Sequence, residues 1–314
     1  MARPVNTMRR VYSTLLAVVA AALGLALTSP AQGTAFRIAV DMVPITVTVN
    51  DGQQRCVTDL TAADFTIFEN GRPQLLSFFD RASVPMALSI LVDSSASMEP
   101  DLPAALGAAG GLVAALRPGD VASIIDFDNT VTVTQPFTDD KEALRAGLAG
   151  LRAGGSTSLY NAIYIAVQEL KRYTGSALGV ARRSVIVVLS DGDDTSSLLT
   201  YEDILDRLGE SGIVTYTIRL DSMALSRSSA SLPQGPYVLQ HLAAASGGRS
   251  FVVSGAAQLG PIYAQIGREL ACQYLLAYAP VEQSSDQWRS ISVRVAREGT
   301  VARAREGYLA RRRR

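Results

Sequence analysis

From Phe36 to Asp80 apolar and polar residues alternate. Val43, Ile45, Val47 and Val49 are spaced by Pro44, Thr46, Thr48 and Asn50, and Phe65, Ile67 and Phe79 continue the habit. A period of two belongs to strands with one buried face. Turn residues at Asn50-Asp51-Gly52 and Asn70-Gly71 predict hairpins, and so a small antiparallel sheet. The rhythm changes at Pro85. Met86–Val92 (MALSILV) is almost continuously apolar, the pattern of a strand covered on both faces of a parallel sheet.

Beyond Val92 apolar runs alternate with helical periodicity. Leu102, Ala105, Leu106, Ala109, Val113 and Leu116 recur at three- and four-residue spacing until Arg117-Pro118-Gly119 stops the helix. Val121–Phe127 predicts a strand, with Val131 and Val133 in its hairpin partner; Asp139 caps a helix to about Leu151, and Leu159, Ile163, Val167 and Leu170 mark the next. Ser184–Leu189 (SVIVVL) is the segment most strongly patterned as strand. A helix near Tyr201–Gly209, a strand at Ile213–Leu220, a helix at Tyr237–Ala245, a short strand at Ser250–Val253 and a helix at about Ala257–Ala271 follow. After Cys272 the chain returns to short strands at Tyr274–Tyr278, Ile291–Val295 and about Val301–Leu309. The expected fold class is α/β, a doubly wound, mostly parallel sheet flanked by helices. A small β-sandwich-like unit is expected from the N- and C-terminal segments. The expected boundaries are 32–84 for the N-terminal β-rich segment, 85–271 for the α/β domain and 272–310 for the C-terminal strands packing with the first segment.

Residues 1–31 follow a different logic. Arg3, Arg9 and Arg10 precede the apolar run Leu15–Leu27, and Ser29 and Ala31 supply small residues for cleavage. That order is the order of a signal peptide, and the run is short beside the roughly 20 apolar residues of a membrane span. The expectation is an exported protein, periplasmic or secreted, that meets the membrane only if the leader stays uncleaved. Losing the leader removes three arginines and no acid, so the mature chain is mildly acidic. Residues 311–314 form a short basic tail. An oxidising compartment lets Cys56 and Cys272 pair; two buried free thiols are the alternative.

Composition narrows the chemistry. The 314 residues are 48% hydrophobic, enough for a large core, and carry 29 basic and 29 acidic side chains, so no global field points to nucleic acid. One histidine (His241) and two cysteines exclude zinc ribbons and His-rich metal centres. Chemistry must run largely on oxygen ligands.

Three polar clusters fall where ligands bind in open parallel sheets, beyond the carboxyl ends of strands. They are Asp93-Ser94-Ser95-Ala96-Ser97, Gly154-Gly155-Ser156-Thr157-Ser158 and Ser190-Asp191-Gly192-Asp193-Asp194-Thr195. Hydroxyls of Ser95, Ser97 and Thr157 with carboxylates of Asp93 and Asp191 make an all-oxygen set suited to a hard cation such as Mg²⁺ or Mn²⁺. Neutral hydroxyls satisfy such a cation only in part, which leaves a position for water or for a partner's Asp or Glu. The plainer alternative is that these residues cap helices and turns. Asp193 and Asp194 read as solvated loop carboxylates, and Ser156 and Ser158 as turn residues.

The Asp-x-Ser-x-Ser at 93, 95 and 97, the Gly-x-Thr ending at Thr157 and the Asp-Gly at Asp191 resemble the metal-ion-dependent adhesion site of von Willebrand factor type A domains. The resemblance implies that Ser95, Ser97 and Thr157 contact the metal and that Asp93 and Asp191 act directly or through water. It implies a Rossmann-like fold at 85–271 and an exported adhesion or interaction module, not an enzyme, that captures a protein's acidic side chain. The flanks Val57–Thr61, Asp64-Phe65, Phe68–Gly71, Tyr274–Pro280 and Gly307-Tyr308 are similar to exported bacterial proteins described only as von Willebrand factor A related. A second function class is the same scaffold with a structural metal, or none, and its working surface elsewhere.

Enzyme readings fare worse. Asp191-Gly192-Asp193-Asp194-Thr195 also fits the Asp-x-Asp-x-Thr nucleophile of haloacid-dehalogenase-like phosphatases, but Lys141 and Lys171, the two lysines, both lie upstream. A Ser-His-Asp hydrolase would have to use His241, and no Gly-x-Ser-x-Gly elbow exists. Neither lysine follows a glycine, so no nucleotide-binding phosphate loop is possible, and no aromatic platform for nucleic acid is seen.

Overall fold

The computed structural model of the protein describes residues 42–81, 84–176, 182–191, 193–220, 235–280 and 287–310. The expected leader at 1–31 and basic tail at 311–314 lie outside the described residues, and among these no helix is long and apolar enough to cross a membrane. The N-terminal strands are β1 (Val43–Asp51), β2 (Phe65–Glu69), β3 (Arg72–Gln74) and β4 (Leu76–Arg81). The α/β run is β5 (Met86–Asp93), α1 (Leu102–Ala114), β6 (Val121–Phe127), β7 (Val131–Thr138), α2 (Lys141–Ala149), α3 (Leu159–Ser176), β8 (Arg183–Ser190), α4 (Tyr201–Ser211), β9 (Val214–Leu220), α5 (Gly235–Ala245), β10 (Ser250–Val253) and α6 (Leu259–Ala271). The chain closes with β11 (Tyr274–Tyr278), β12 (Gln287–Val295), β13 (Thr300–Arg303) and β14 (Gly307–Ala310).

The central sheet has the order β10-β9-β8-β5-β6-β7, all parallel except the antiparallel β7. Every residue of β5 is buried, because the alternate faces of the strand serve different cores. Leu88, Ile90 and Val92 pack under α1, α2 and α6 with Leu112, Leu148 and Ile266. Ala87 and Leu91 pack under α3, α4 and α5 with Ile163, Leu208 and Leu242. The continuous apolar runs are thus two stripes of period two, one per face. Helix α2 is capped by Asp140, not by Asp139: the Asp140 carboxylate accepts from Glu142 N at 2.9 Å and Ala143 N at 3.2 Å.

The terminal strands build two four-stranded sheets, β13-β1-β11-β4 and β14-β12-β2-β3. Between them lie Ile45, Val47, Val49, Phe65, Ile67, Tyr274, Leu276, Tyr278 and Ile291, which form a separate buried core. Two expectations are corrected. The turn after β1 does not fold it onto a following strand: β1 pairs with β11 and β13, and only Cys56 returns beside Asn50. The expected strand Val301–Leu309 is split, with β13 in one sheet and β14 in the other. At the break the buried Arg305 donates to Pro44 O at 2.9 Å and Gly209 O at 3.4 Å, docking the crossover onto the α/β layer.

Three segments flagged by resemblance converge in the sandwich. The Glu69 carboxylate, buried, accepts from Arg289 Nη1 at 2.8 Å, from the Tyr308 hydroxyl at 3.0 Å and from the Tyr278 hydroxyl. Burial, followed by Glu69 itself, pushes the Tyr278 hydroxyl far above its ordinary value. Thr61 and Asp64 form a capping box at a short turn before β2.

Cys56 and Cys272 form a disulfide across a sequence separation of 216 residues, joining the loop after β1 to the end of α6. Closing so long a loop constrains the unfolded chain by about 5 kcal/mol in the chain-entropy model. Reduction is therefore expected to lower the melting temperature markedly in differential scanning fluorimetry. A Cys56→Ala/Cys272→Ala chain whose melting matches the oxidised wild type would contradict this.

Candidate metal-binding site

The chain crosses to opposite sides of the sheet between β5 and β8, and the loops after these strands open the crevice where such sheets hold ligands. Asp93 ends β5 with its side chain fully buried. Its Oδ1 accepts from Ser95 N at 2.9 Å and its Oδ2 from Ser190 Oγ at 2.5 Å. Ser95 Oγ lies 3.1 Å from Ser97 Oγ. Burial pushes the Asp93 carboxyl up to about 6 despite the Ser190 and Ser95 hydrogen bonds, and the neighbouring Asp191 charge pushes the same way.

The second cluster is laced to the first. Gly154 N donates to Ser94 O at 2.8 Å and Ala96 N to Gly155 O at 3.1 Å. Gly155 has φ +74°, a conformation that favours glycine, and a Cβ there would push aside only the end of the exposed Asn129 side chain, 2.7 Å away. Thr157, buried, is tied in turn to the third loop: Thr195 N and Ser196 N donate to Thr157 O at 2.8 and 3.0 Å, and Thr157 N donates to Thr195 Oγ1 at 2.9 Å. Asp191 follows β8 and is half-buried. The structure thus gathers the three clusters at one end of the sheet.

Two readings from the sequence are corrected. Asp194 is not a solvated loop carboxylate: it accepts from Tyr160 N at 3.2 Å and from Ser197 Oγ at 2.6 Å, pinning the third loop to the first turn of α3. Ser158 is more than a turn residue, since its N and Oγ both donate to Asp128 O, at 2.8 and 2.6 Å. Sequence reasoning missed Asp126 and Asp128, at the end of β6 and just beyond it. They sit beside β5 by the same carboxyl-end rule that found Asp93. Burial raises the Asp126 carboxyl above its ordinary value, with Asp128 adding to it. His241 bonds the Tyr201 hydroxyl through Nδ1 and stacks on Tyr237, with ring centroids 5.6 Å apart.

Among the described residues no group of three or more His, Cys, Asp or Glu side chains could hold a metal, so a cation here must recruit hydroxyls. The donor set fits that need. The oxygens are hard, two serine hydroxyls converge, and a buried carboxylate beside them has no basic side chain paired with it among the described residues. Such a carboxylate is costly to keep charged without a compensating cation.

The family model of the von Willebrand factor type A domain matches residues 88–193, a span that holds Asp93, Ser95, Ser97, Thr157 and Asp191. The chain carries a von Willebrand factor type A domain. Domains of this type are general protein-interaction modules. A von Willebrand factor type A protein from Catenulispora acidiphila is similar in fold at TM-score 0.51 and 11% identity, over 87% of this chain and 75% of that one. BatB, a conserved hypothetical protein from Bacteroides thetaiotaomicron, aligns at TM-score 0.47 and 17% identity, over 59% of this chain and 98% of its own. Proximal thread matrix protein 1 from the mussel byssus, described with a zinc-occupied MIDAS motif, aligns at TM-score 0.48 and 15% identity, over 60% and 48% of the two chains. No curated protein matches the sequence.

Proposed function

We propose that the A domain binds Mg²⁺ or Mn²⁺ and, through it, an Asp or Glu side chain of a partner protein, and that the protein works after export. The observation that carries this reading is Asp93: a fully buried carboxylate, without a basic partner among the described residues, next to the paired hydroxyls of Ser95 and Ser97. Ser95, Ser97 and Thr157 would hold the cation directly, and Asp93 and Asp191 directly or through water. When bound, the cation supplies positive charge and an open coordination position. The chain's own residues orient the donors. Ser190 and Ser95 N fix the Asp93 carboxylate, and the Gly154–Gly155 turn and Thr195 fix Thr157. Export is read from the leader at 1–31 and is supported by the pairing of the two cysteines.

The test is calorimetric titration of the full chain with MnCl₂. Ser95→Ala and Thr157→Ala are each expected to weaken binding at least about tenfold, the order of one lost charge-assisted contact. Unchanged Mn²⁺ binding in both variants would overturn the site.

A further inference from the structure

The first turn of α3 takes its cap from a distant loop. Ser158 precedes the helix, and its O accepts from Ala162 N at 3.0 Å, the bond that opens the helical ladder. A serine in that place ordinarily turns its hydroxyl onto the first N–H groups of the helix. Ser158 Oγ is turned instead to Asp128 O, at 2.6 Å. The loop after β8 supplies the missing acceptors: Tyr160 N donates to Asp194 Oδ1 at 3.2 Å and Asn161 N to Ser197 Oγ at 3.1 Å, from 34 and 36 residues further along the chain. Ser197 Oγ donates in turn to Asp194 Oδ1 at 2.6 Å, and Ser197 N to Asp194 Oδ2 at 3.3 Å. One carboxylate thus holds both the helix end and the loop that caps it, and a negative charge suits the positive end of a helix.

That cap stands directly behind Thr157. Both backbone groups of Thr157 are taken by the next two residues of the same loop, Thr195 and Ser196. On the other side the Gly154–Gly155 turn is bonded to Ser94 and Ala96 of the first cluster. Among the described residues the Thr157 hydroxyl itself makes no hydrogen bond, so its place is set by the backbone that carries it. A ligand held in this way is only as well placed as the groups that support it.

We infer that Asp194 is a positioning residue of the metal site: without touching the cation, it sets where Thr157 presents its hydroxyl, through the cap on Tyr160 N and the adjoining Thr195. This rests on the metal-site reading above. It adds that the loop after β8 serves the site twice, once through Asp191 and once by gripping the loop that carries Thr157. Losing a supporting group of this kind weakens metal binding roughly 10–100-fold. The lower end is expected, because the Gly154–Gly155 turn stays tied to the first cluster.

The test is a double-variant cycle on the full chain, read by MnCl₂ calorimetry well below the melting temperature of every variant. Asp194→Ala is expected to weaken Mn²⁺ binding about tenfold. Combined with Thr157→Ala it is expected to add little to the loss from Thr157→Ala alone, where independent sites would multiply to about a hundredfold. Asp194→Asn keeps an oxygen for Tyr160 N and Ser197 Oγ and is expected to stay within about threefold of the wild type, the order of one weak hydrogen bond. Thr195→Val removes the acceptor of Thr157 N at nearly constant shape; it is expected to weaken binding in the same direction and decides the matter if Asp194→Ala does not fold. Glu69→Ala, which disturbs the sandwich alone, is expected to lower the melting temperature and leave Mn²⁺ affinity unchanged. Wild-type affinity in Asp194→Ala or Thr195→Val, multiplying losses in the double variant, an Asp194→Asn as weak as Asp194→Ala, or a matching loss in Glu69→Ala overturns the inference and leaves the metal site standing. Wild-type affinity in both Ser95→Ala and Thr157→Ala overturns the site and the inference together.

Discussion

Asp93→Asn is expected to abolish Mn²⁺ binding in calorimetry while leaving the metal-free protein at least as stable as the wild type at neutral pH. The two effects have one origin. The carboxylate is fully buried and its pKa is raised to about 6, so at pH 7 the folded state carries a charge that it holds less well than the unfolded chain does. The penalty is about 3 kcal/mol as an order of magnitude, and an amide of the same shape does not incur it. The pH dependence follows. Below about pH 4 the carboxyl is protonated in both folded and unfolded chains; between about 4 and 6 only the folded state keeps the proton; above about 6 the full penalty stands. Stability from this group therefore falls as pH rises through that window. Melting temperatures in EDTA are expected to be higher at pH 5 than at pH 7, with a smaller difference in Asp93→Asn. Added Mn²⁺ is expected to raise the wild-type melting temperature more at pH 7 than at pH 5, where protons compete for the same oxygen. Identical pH profiles in the two proteins would contradict the assignment.

A large loss of stability is expected from Glu69→Ala. Glu69 and Arg289 are both buried and paired at 2.8 Å, and the hydroxyls of Tyr278 and Tyr308 point at the same carboxylate. Removing the acid leaves a guanidinium inside the sandwich without its counterion, a loss of about 3–5 kcal/mol. The double variant Glu69→Ala/Arg289→Met, which removes both charges and refills part of the space, is expected to recover much of it. Urea titration followed by tyrosine fluorescence measures both. Equal destabilisation of the single and double variants would show that packing, not the stranded charge, sets the cost.

Much of the architecture could be read from periodicity, for a physical reason. A strand buried on both faces must be apolar throughout, and Met86–Val92 and Ser184–Leu189 became the paired centre of the sheet. The cluster residues were legible because chemistry places polar groups at strand ends. Long-range pairing was not legible. Nothing local in Val43–Asp51 states that its partners lie beyond residue 270, so the turn at Asn50-Asp51-Gly52 read as a hairpin. Asp194 was misjudged for the same reason, since its acceptors are satisfied by Tyr160 and Ser197, and only the folded loop brings Tyr160 near. Glu69 was visible only as part of a familiar segment, because a buried acid is recognisable only once its arginine, more than two hundred residues away, is in place.

The interleaving of the sandwich has a consequence for the order of events during synthesis. Among the described residues, the strands β1 pairs with are β11 and β13, and Tyr274 lies opposite Arg81. The A domain is thus an insert whose entry and exit strands lie side by side, and it can complete its core from one continuous stretch of chain. β2 and β3 can pair at once, but β1 and β4 must wait for β11. A chain that folds in this order is exposed to aggregation through β1 for as long as synthesis lasts, and truncation before residue 300 would take β13 from its edge and Arg303 from the buried Glu269 of α6.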